Sequence, residues 1–291
     1  MAEHKRLIEI IQPSEEMVFA SQKQLENHMT SFFSEEKERL SKQKGVYNDT
    51  PQSLSSLIIE EETDREELRK KVEEIRKAQQ SVASEMSKVD FLGLSDLTNG
   101  MFVHLKVIQG PLYPLTWRWN TFNLFNSEHN VSVDDSGNMS WNHTAYLPSS
   151  AMASAAGVGV FFRSFVDEML FLASPPPRIK HEYNVTSSNP NLDVISDGWI
   201  GYYVGSVLPR DQTVGSTHQP VWNASYSSSS KTTRDVYMSS YGIRISKGVS
   251  YSLWNWCGGE VRSSMGYGGS SSADGSMSLN IGTIQFYVFG F

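Results

Sequence analysis

The side chains best suited to gripping a ligand crowd into the last third of the chain. Trp222, Tyr226, Arg234, Tyr241, Trp254, Trp256, Arg262 and Tyr267 stand among stretches rich in Ser, Gly and Asn. Tyr and Trp offer flat apolar faces that cost little side-chain entropy to fix, and their polar edges form hydrogen bonds. That combination suits sugar rings, whose C–H faces stack while their hydroxyls pair with polar side chains. These eight residues are the candidate ligand-binding set, and a glycan is the ligand class their chemistry points to. Any one Trp is as well suited to a core. The cluster from Trp254 to Tyr267 has the stronger case for exposure, because it adjoins a Gly/Ser stretch.

Catalytic chemistry has no comparable footing. The chain contains no G-x-S-x-G, P-loop, H-E-x-x-H or C-x-x-C pattern. Its seven His, at 4, 28, 104, 129, 143, 181 and 218, are too scattered for metal-ligand spacing. Asp134, Asp135 and Asn138 surround Gly137 in a way that fits a turn better than a calcium loop. A glycosidase needs two carboxylates across a cleft. Asp134, Asp135, Asp167, Glu168, Asp197, Glu260 and Asp274 offer so many pairs that none is singled out. The expectation is a binding protein, not an enzyme, with no catalytic residue, metal or cofactor. Cys257 is the lone cysteine, so no intramolecular disulfide can form.

The elements that must carry these residues divide near residue 100. Residues 1–100 hold 14 Lys+Arg and 20 Asp+Glu with no Trp; residues 101–291 hold all seven Trp and only 11 Lys+Arg and 12 Asp+Glu. The first part reads as helical and the second as β-rich. The net charge of −7 falls almost wholly on the first part, and the near-neutral second part has no basic patch, which argues against nucleic acid as a partner. The spacing predicts a helical base and coiled-coil stalk over 1–97 and a β head, sandwich or barrel, over 98–291, with a rigid joint at Pro175–Pro177. The predicted class is therefore α+β, homotrimeric.

Within the first part, Ser14 before Glu15 and Glu16 predicts a helix start, and Gly45 after KQK its end. A second helix opens at Thr50–Pro51. Leu54, Ile58, Leu68, Val72, Ile75, Gln79, Val82, Met86 and Val89 then fall at 4-3 spacing, with Glu61 and Arg65 at the weak inner positions. This seam is the predicted self-association surface. β-branched residues at both core positions favour more than two strands. In the second part, VSV and MSW around DDSGN predict a hairpin with Val131 and Val133 against Met139 and Trp141. Residues 115–125 and the terminal run 281–291 also read as strands, and 225–231 and 257–278 as Ser/Gly loops.

Residues 151–172 are the most apolar stretch; Arg163, Asp167 and Glu168 favour buried strands or a core helix over a membrane-penetrating segment. The N-terminus lacks a signal-peptide apolar core, which predicts synthesis in the cytoplasm. The N-x-S/T sequences at Asn48, Asn130, Asn138, Asn142, Asn184 and Asn223 are expected products of Asn/Ser-rich β regions rather than used sites.

A heptad segment with a β-branched seam, a neck at 95–100 and a Trp/Tyr/Gly/Ser-rich head ending in an apolar strand resembles, as a layout, the trimeric attachment proteins of double-stranded RNA viruses and the tail fibres of phages. In size and disulfide-free composition it is similar to the outer-coat spikes of seadornaviruses of the Banna and Kadipiro type. The resemblance rests on layout and carries over no individual residue. It implies an outer-capsid spike on the virion surface, made in the host cytoplasm, whose partners are its own copies, an underlying capsid protein and a host-cell receptor or glycan. The alternatives are a tail fibre that degrades polysaccharide and a membrane-active protein using 151–172.

Overall fold

The computed structural model describes residues 7–48, 102–109, 113–122, 127–145, 150–173, 175–189, 192, 194–209, 211–238, 241–264 and 270–290. Residues up to Phe33 and from Phe102 onward form one compact unit, and Ser34–Met101 a second. Strand β1 (Ile8–Ile11) comes first, followed by helix α1 (Glu15–Asn48). The Ser14 hydroxyl oxygen accepts the Met17 N–H at 3.3 Å, and Glu15 and Glu16 occupy the first turn. Both features satisfy the positive end of the helix.

A central sheet is built from β6 (Ser150–Ser164), β13 (Ser250–Ser263), β9 (Ile195–Leu208) and β10 (Gln212–Ser225). The free side of β6 takes β3 (Leu115–Phe122) along Met152–Gly159 and β1 along Phe161–Ser164. A second sheet runs in the order β11 (Ser228–Asp235), β8 (Arg178–Ser187), β14 (Ser271–Asn280), β5 (Asn138–Ala145), β4 (Ser127–Val133). We call it the platform sheet. A third sheet runs β12 (Tyr241–Ile245), β7 (Glu168–Ala173), β15 (Thr283–Gly290), β2 (Phe102–Gln109). All these pairings are antiparallel.

Period-two alternation gives the central sheet two apolar faces. Val158, Val160 and Phe162 of β6, with Leu253, Cys257 and Val261 of β13, pack against the platform and third sheets in one core. The opposite face, with Trp117, Trp119, Phe161, Trp199, Tyr203, Trp254 and Trp256, packs against Leu25, Met29, Phe32 and Phe33 of α1. Burial on both faces explains why 151–164 is so apolar: it is an inner strand. Among the described residues, no helix is long and apolar enough to cross a membrane.

The expected α+β plan, a coiled-coil stalk carrying a β head, is overturned as a description of the fold. The described residues are mainly β, in three sheets, with one helix. The reason lies in α1. Its apolar stripe at Leu25, Met29, Phe32 and Phe33 is spent on the central sheet rather than on a partner helix. The heptad positions Leu54, Ile58, Leu68, Val72, Ile75, Gln79, Val82, Met86 and Val89 lie outside the described residues. Pro175–Pro177 carries the chain from β7 in the third sheet to β8 in the platform sheet.

Two further expectations give way. Cys257–Ser263 continues β13 and Ser271–Asn280 is β14, although both read as loop. Glycines of the central sheet make room for rings, from the facing platform sheet at Gly259 and from the neighbouring strand β10 at Gly198. A Cβ on Gly259 would sit 1.9 Å from the Trp141 ring, and one on Gly198 would sit 2.3 Å from that of Trp222. Gly259→Ala is therefore expected to destabilise the fold by about 1–3 kcal/mol through overpacking, read as a lower urea midpoint. An unchanged midpoint would mean that Trp141 does not occupy this slot.

Candidate functional site

The outward side of the platform sheet is the most regular polar surface among the described residues. An antiparallel sheet with one solvated face alternates apolar-in and polar-out, and here every described outward position is polar. One row across the strands reads Thr233, Lys180, Ser278, Ser140, Ser132; the next reads Lys231, Glu182, Ser276, Asn142, Asn130. Neighbouring strands stand about 4.8 Å apart and successive outward residues about 6.8 Å, so hydroxyls and carboxamides form a grid.

Local bonds hold the grid in place. Asn280 Nδ2 donates to Asn138 Oδ1 at 2.8 Å, and Asn138 Nδ2 donates to Asp134 Oδ2 at 2.8 Å. Asp134 also accepts the Ser136 and Asn138 N–H groups, and its carboxyl is held below the ordinary value, chiefly by the Asn138 side chain. Gly137, at φ 86°, closes this hairpin turn. Thr186 and Ser272 hydroxyls lie 2.7 Å apart. Asp274, at the centre, has its carboxyl raised by burial, opposed by a hydrogen bond to Asn184 and reinforced by Glu182.

Charge is distributed unevenly over this face. Lys231 pairs with Glu182 at 2.6 Å. Arg178 and Lys180 make no ion pair among the described residues. They project two residues apart on β8 into a cleft of about 410 Å³ that Ser132, Ser140, Thr233, Ser278 and Asn280 also line. Two unengaged cations among hydroxyls and carboxamides can hold a polyhydroxylated ligand that carries a carboxylate or sulfate. A larger groove, about 700 Å³, lies between α1 and β3, where Lys23, Glu26 and Arg118 mix charges around the exposed ring of Phe19.

The aromatic candidates go elsewhere. Trp254 and Trp256 are fully covered by α1, and Trp254 Nε1 donates to Ser21 Oγ at 2.7 Å. Trp222 is buried between sheets, its ring 5.5 Å from Trp141 and 5.0 Å from His181. Arg262 is buried and ion-paired with Glu260. These four cannot form an open ligand surface, because each is used in packing. Arg234 donates from Nη2 to the Val221 carbonyl at 2.5 Å, tying β11 to β10. Tyr241 is half-buried, with its phenol where a Cβ on Gly215 would stand. Tyr226 is exposed, in the turn after β10, at φ 66°. Tyr267 lies outside the described residues. The eight residues are therefore not brought together.

Of the carboxylates, Asp197 and Glu260 face each other on β9 and β13, but both are buried. Asp197 accepts the Ala224 N–H at 3.2 Å. Among the described residues, no group of three or more His, Cys, Asp or Glu is placed to hold a metal ion. Cys257 is buried, and burial pushes its thiol up to about 12.

Sequence reasoning missed Arg178, Lys180 and the grid. A signal was present in the N-x-S/T pattern. Asn130, Asn138, Asn142 and Asn184 each precede an inward residue, buried in three cases and half-buried at Val131, and then an outward Ser or Thr. The pattern records polar-out alternation on neighbouring strands.

No family model matches the chain, and no curated protein matches it. Solved structures give distant similarities. A carbohydrate-binding module described for specific mannan recognition aligns at 14% identity and TM-score 0.21, over 66% of this chain and 98% of its own. The enzymatically active domain of tailspike protein 4 of bacteriophage CBA120 aligns at 10% identity and TM-score 0.19, over 65% and 19%. The infectious bursal disease virus VP2 subviral particle aligns at 10% identity and TM-score 0.18, over 66% and 37%. At these scores the three alignments bear on neither the fold nor the function of this chain.

Proposed function

We propose that this chain is a glycan-binding protein whose platform sheet takes an acidic carbohydrate. The observation that supports it is the pair of cations, Arg178 and Lys180, that make no ion pair among the described residues, in a cleft otherwise lined largely by hydroxyl and carboxamide groups. Sugar hydroxyls donate and accept, as Ser, Thr and Asn do. A carboxylate or sulfate on the sugar supplies the counter-charge. With no aromatic ring on this face among the described residues, selectivity rests on hydrogen bonds and charge rather than stacking.

The layout of the sequence extends this reading to an attachment protein on a virion surface, with a host-cell glycan as receptor. A single polar site of this kind is weak. Repetition over a particle raises avidity by roughly 10²–10⁴ without any new contact, which suits attachment.

The test is a glycan array probed with the full chain, comparing sialylated and sulfated oligosaccharides with neutral ones. Acidic glycans are expected to bind, and more weakly as salt rises. Arg178→Ala with Lys180→Ala is expected to lower affinity about 100-fold, from two lost charge-assisted hydrogen bonds of about 1.5 kcal/mol each, with an unchanged melting temperature. Equal binding by the double variant, or preference for neutral glycans, would move the site off this face.

A further inference from the structure

A second polar recess lies on the other side of the central sheet, beside α1. Its helix wall is Gln24, Asn27, His28 and Ser31. These positions, i, i+3, i+4 and i+7, form one stripe along a helix, flanking the apolar stripe of Leu25, Met29 and Phe32. The facing wall is Asp211, Gln212 and Thr213, at the start of β10. The recess holds about 370 Å³, roughly a dozen water volumes, and falls in the size range of small-ligand pockets. All seven of these residues are polar.

The walls are fixed before any ligand arrives. Gln24 Nε2 donates to the Ser206 carbonyl at 3.0 Å. The His28 ring lies 5.0 Å from that of Tyr203, whose hydroxyl is 2.9 Å from Thr213 Oγ1. Gly205 makes space for the Gln24 amide: a Cβ there would stand 1.9 Å from Gln24 Oε1. With these bonds made, two buried atoms on the helix wall, Gln24 Oε1 and His28 Nε2, have no partner among the described residues. A buried carbonyl oxygen and a ring nitrogen without partners are costly in a helix that is otherwise well packed. Both atoms belong to side chains that line the recess, where a ligand's hydroxyls could supply the missing partners.

The charge on the walls selects the ligand. Burial, with His218 nearby, holds the His28 imidazole down at about 4, so it is neutral at physiological pH. Among the described residues that line the recess, Asp211 is then the one formal charge. An anion is disfavoured here, in contrast to the platform cleft. From the polar stripe on α1, its two unpartnered atoms and the Asp211–Thr213 wall, we infer that this recess binds a neutral hydroxyl-rich molecule the size of one sugar unit, independently of the platform face.

The experiment is a protein-observed NMR titration of the full chain with glucose, galactose, mannose and N-acetylglucosamine, each up to about 50 mM, far enough above 1 mM to saturate a weak site. Saturable shifts are expected at the His28 ring and the Gln24, Asn27 and Gln212 side-chain amides for at least one of the four. Asn27→Ala and Gln212→Ala, both at exposed positions, are each expected to weaken binding about tenfold, one hydrogen bond's worth. Gly205→Ala, which displaces the Gln24 amide without removing any wall residue, is expected to do the same. Arg178→Ala with Lys180→Ala should leave the titration unchanged, which separates this site from the platform. No saturable shift with any of the four sugars would overturn the inference. So would shifts that survive all three recess variants.

Discussion

Trp254→Ala is expected to destabilise the folded chain by about 4 kcal/mol, the usual range for a fully buried Trp being about 3–5. The indole has no solvent exposure, lies over Gly159 at about 3.0 Å from where a Cβ would be, and sits under α1. Its Nε1–H donates to Ser21 Oγ, itself buried, so truncation leaves a cavity and strips a partner from a buried hydroxyl. Ser21→Ala removes only that bond and is expected to cost about 1 kcal/mol. The measurement is equilibrium urea unfolding of both variants. The folded fraction of Trp254→Ala should still bind acidic glycans, because the platform face and the α1 face lie on opposite sides of the central sheet. A Trp254→Ala chain as stable as the parent would overturn the docking of α1 on that sheet. A stable chain that had lost glycan binding would restore Trp254 to the ligand set.

That contrast shows where sequence is informative about this chain. Local pattern was enough wherever neighbours in sequence decide structure. Val131 pairs with Trp141 and Val133 with Met139, around a turn at Gly137, as alternation and turn chemistry require. Trp117 and Trp119 face inward while Arg118 and Asn120 face solvent. Ser14 with two acids was a sufficient start signal for α1.

Pattern failed where distant contacts decide. The Trp254–Ser21 bond spans 233 residues, and nothing near Trp254 distinguishes an indole beneath a helix from one offered to a sugar. Cys257, Gly258 and Gly259 read as loop because glycine is common there, yet Gly259 is a strand residue pressed by an indole from another sheet. α1 read as the base of a stalk because an amphipathic stripe does not say what covers it, and here the cover is a sheet. Both candidate sites share this difficulty. Arg178 and Lys180 look like any strand surface until their lack of ion partners among the described residues is seen. Gln24, Asn27, His28 and Ser31 become a wall only when Asp211–Thr213 faces them.

Mild acid is expected to weaken the fold through imidazoles that are buried neutral. His143, with Nε2 2.6 Å from Ser154 Oγ, is held down at about 3, by burial first and by His129 second. His28, at about 4, is held by burial and then by His218. His181 is lowered by burial and by Arg234. Each folded value lies below the ordinary 6.5, so below that pH the unfolded chain takes up protons that the folded chain refuses. Stability is therefore complete above about pH 6.5 and falls as the pH drops towards the folded values. At about pH 4.5, His143 alone accounts for a loss of about 3 kcal/mol, and His28, one edge of which is open to its recess, adds a smaller share of about 1. Asp274 and Asp134 act in opposite senses. Asp274, raised by burial, gives back part of the loss on protonation, whereas Asp134, lowered and solvent-exposed, begins to cost stability only below its ordinary 3.8. Urea unfolding at about pH 7.5 and 4.5 reads the difference, and His143→Gln, which cannot titrate, should show a shallower pH dependence whatever its absolute stability. If the parent is equally stable at both pH values, or if His143→Gln keeps the full slope, the imidazole between β5 and β6 is not the group that couples this fold to acid.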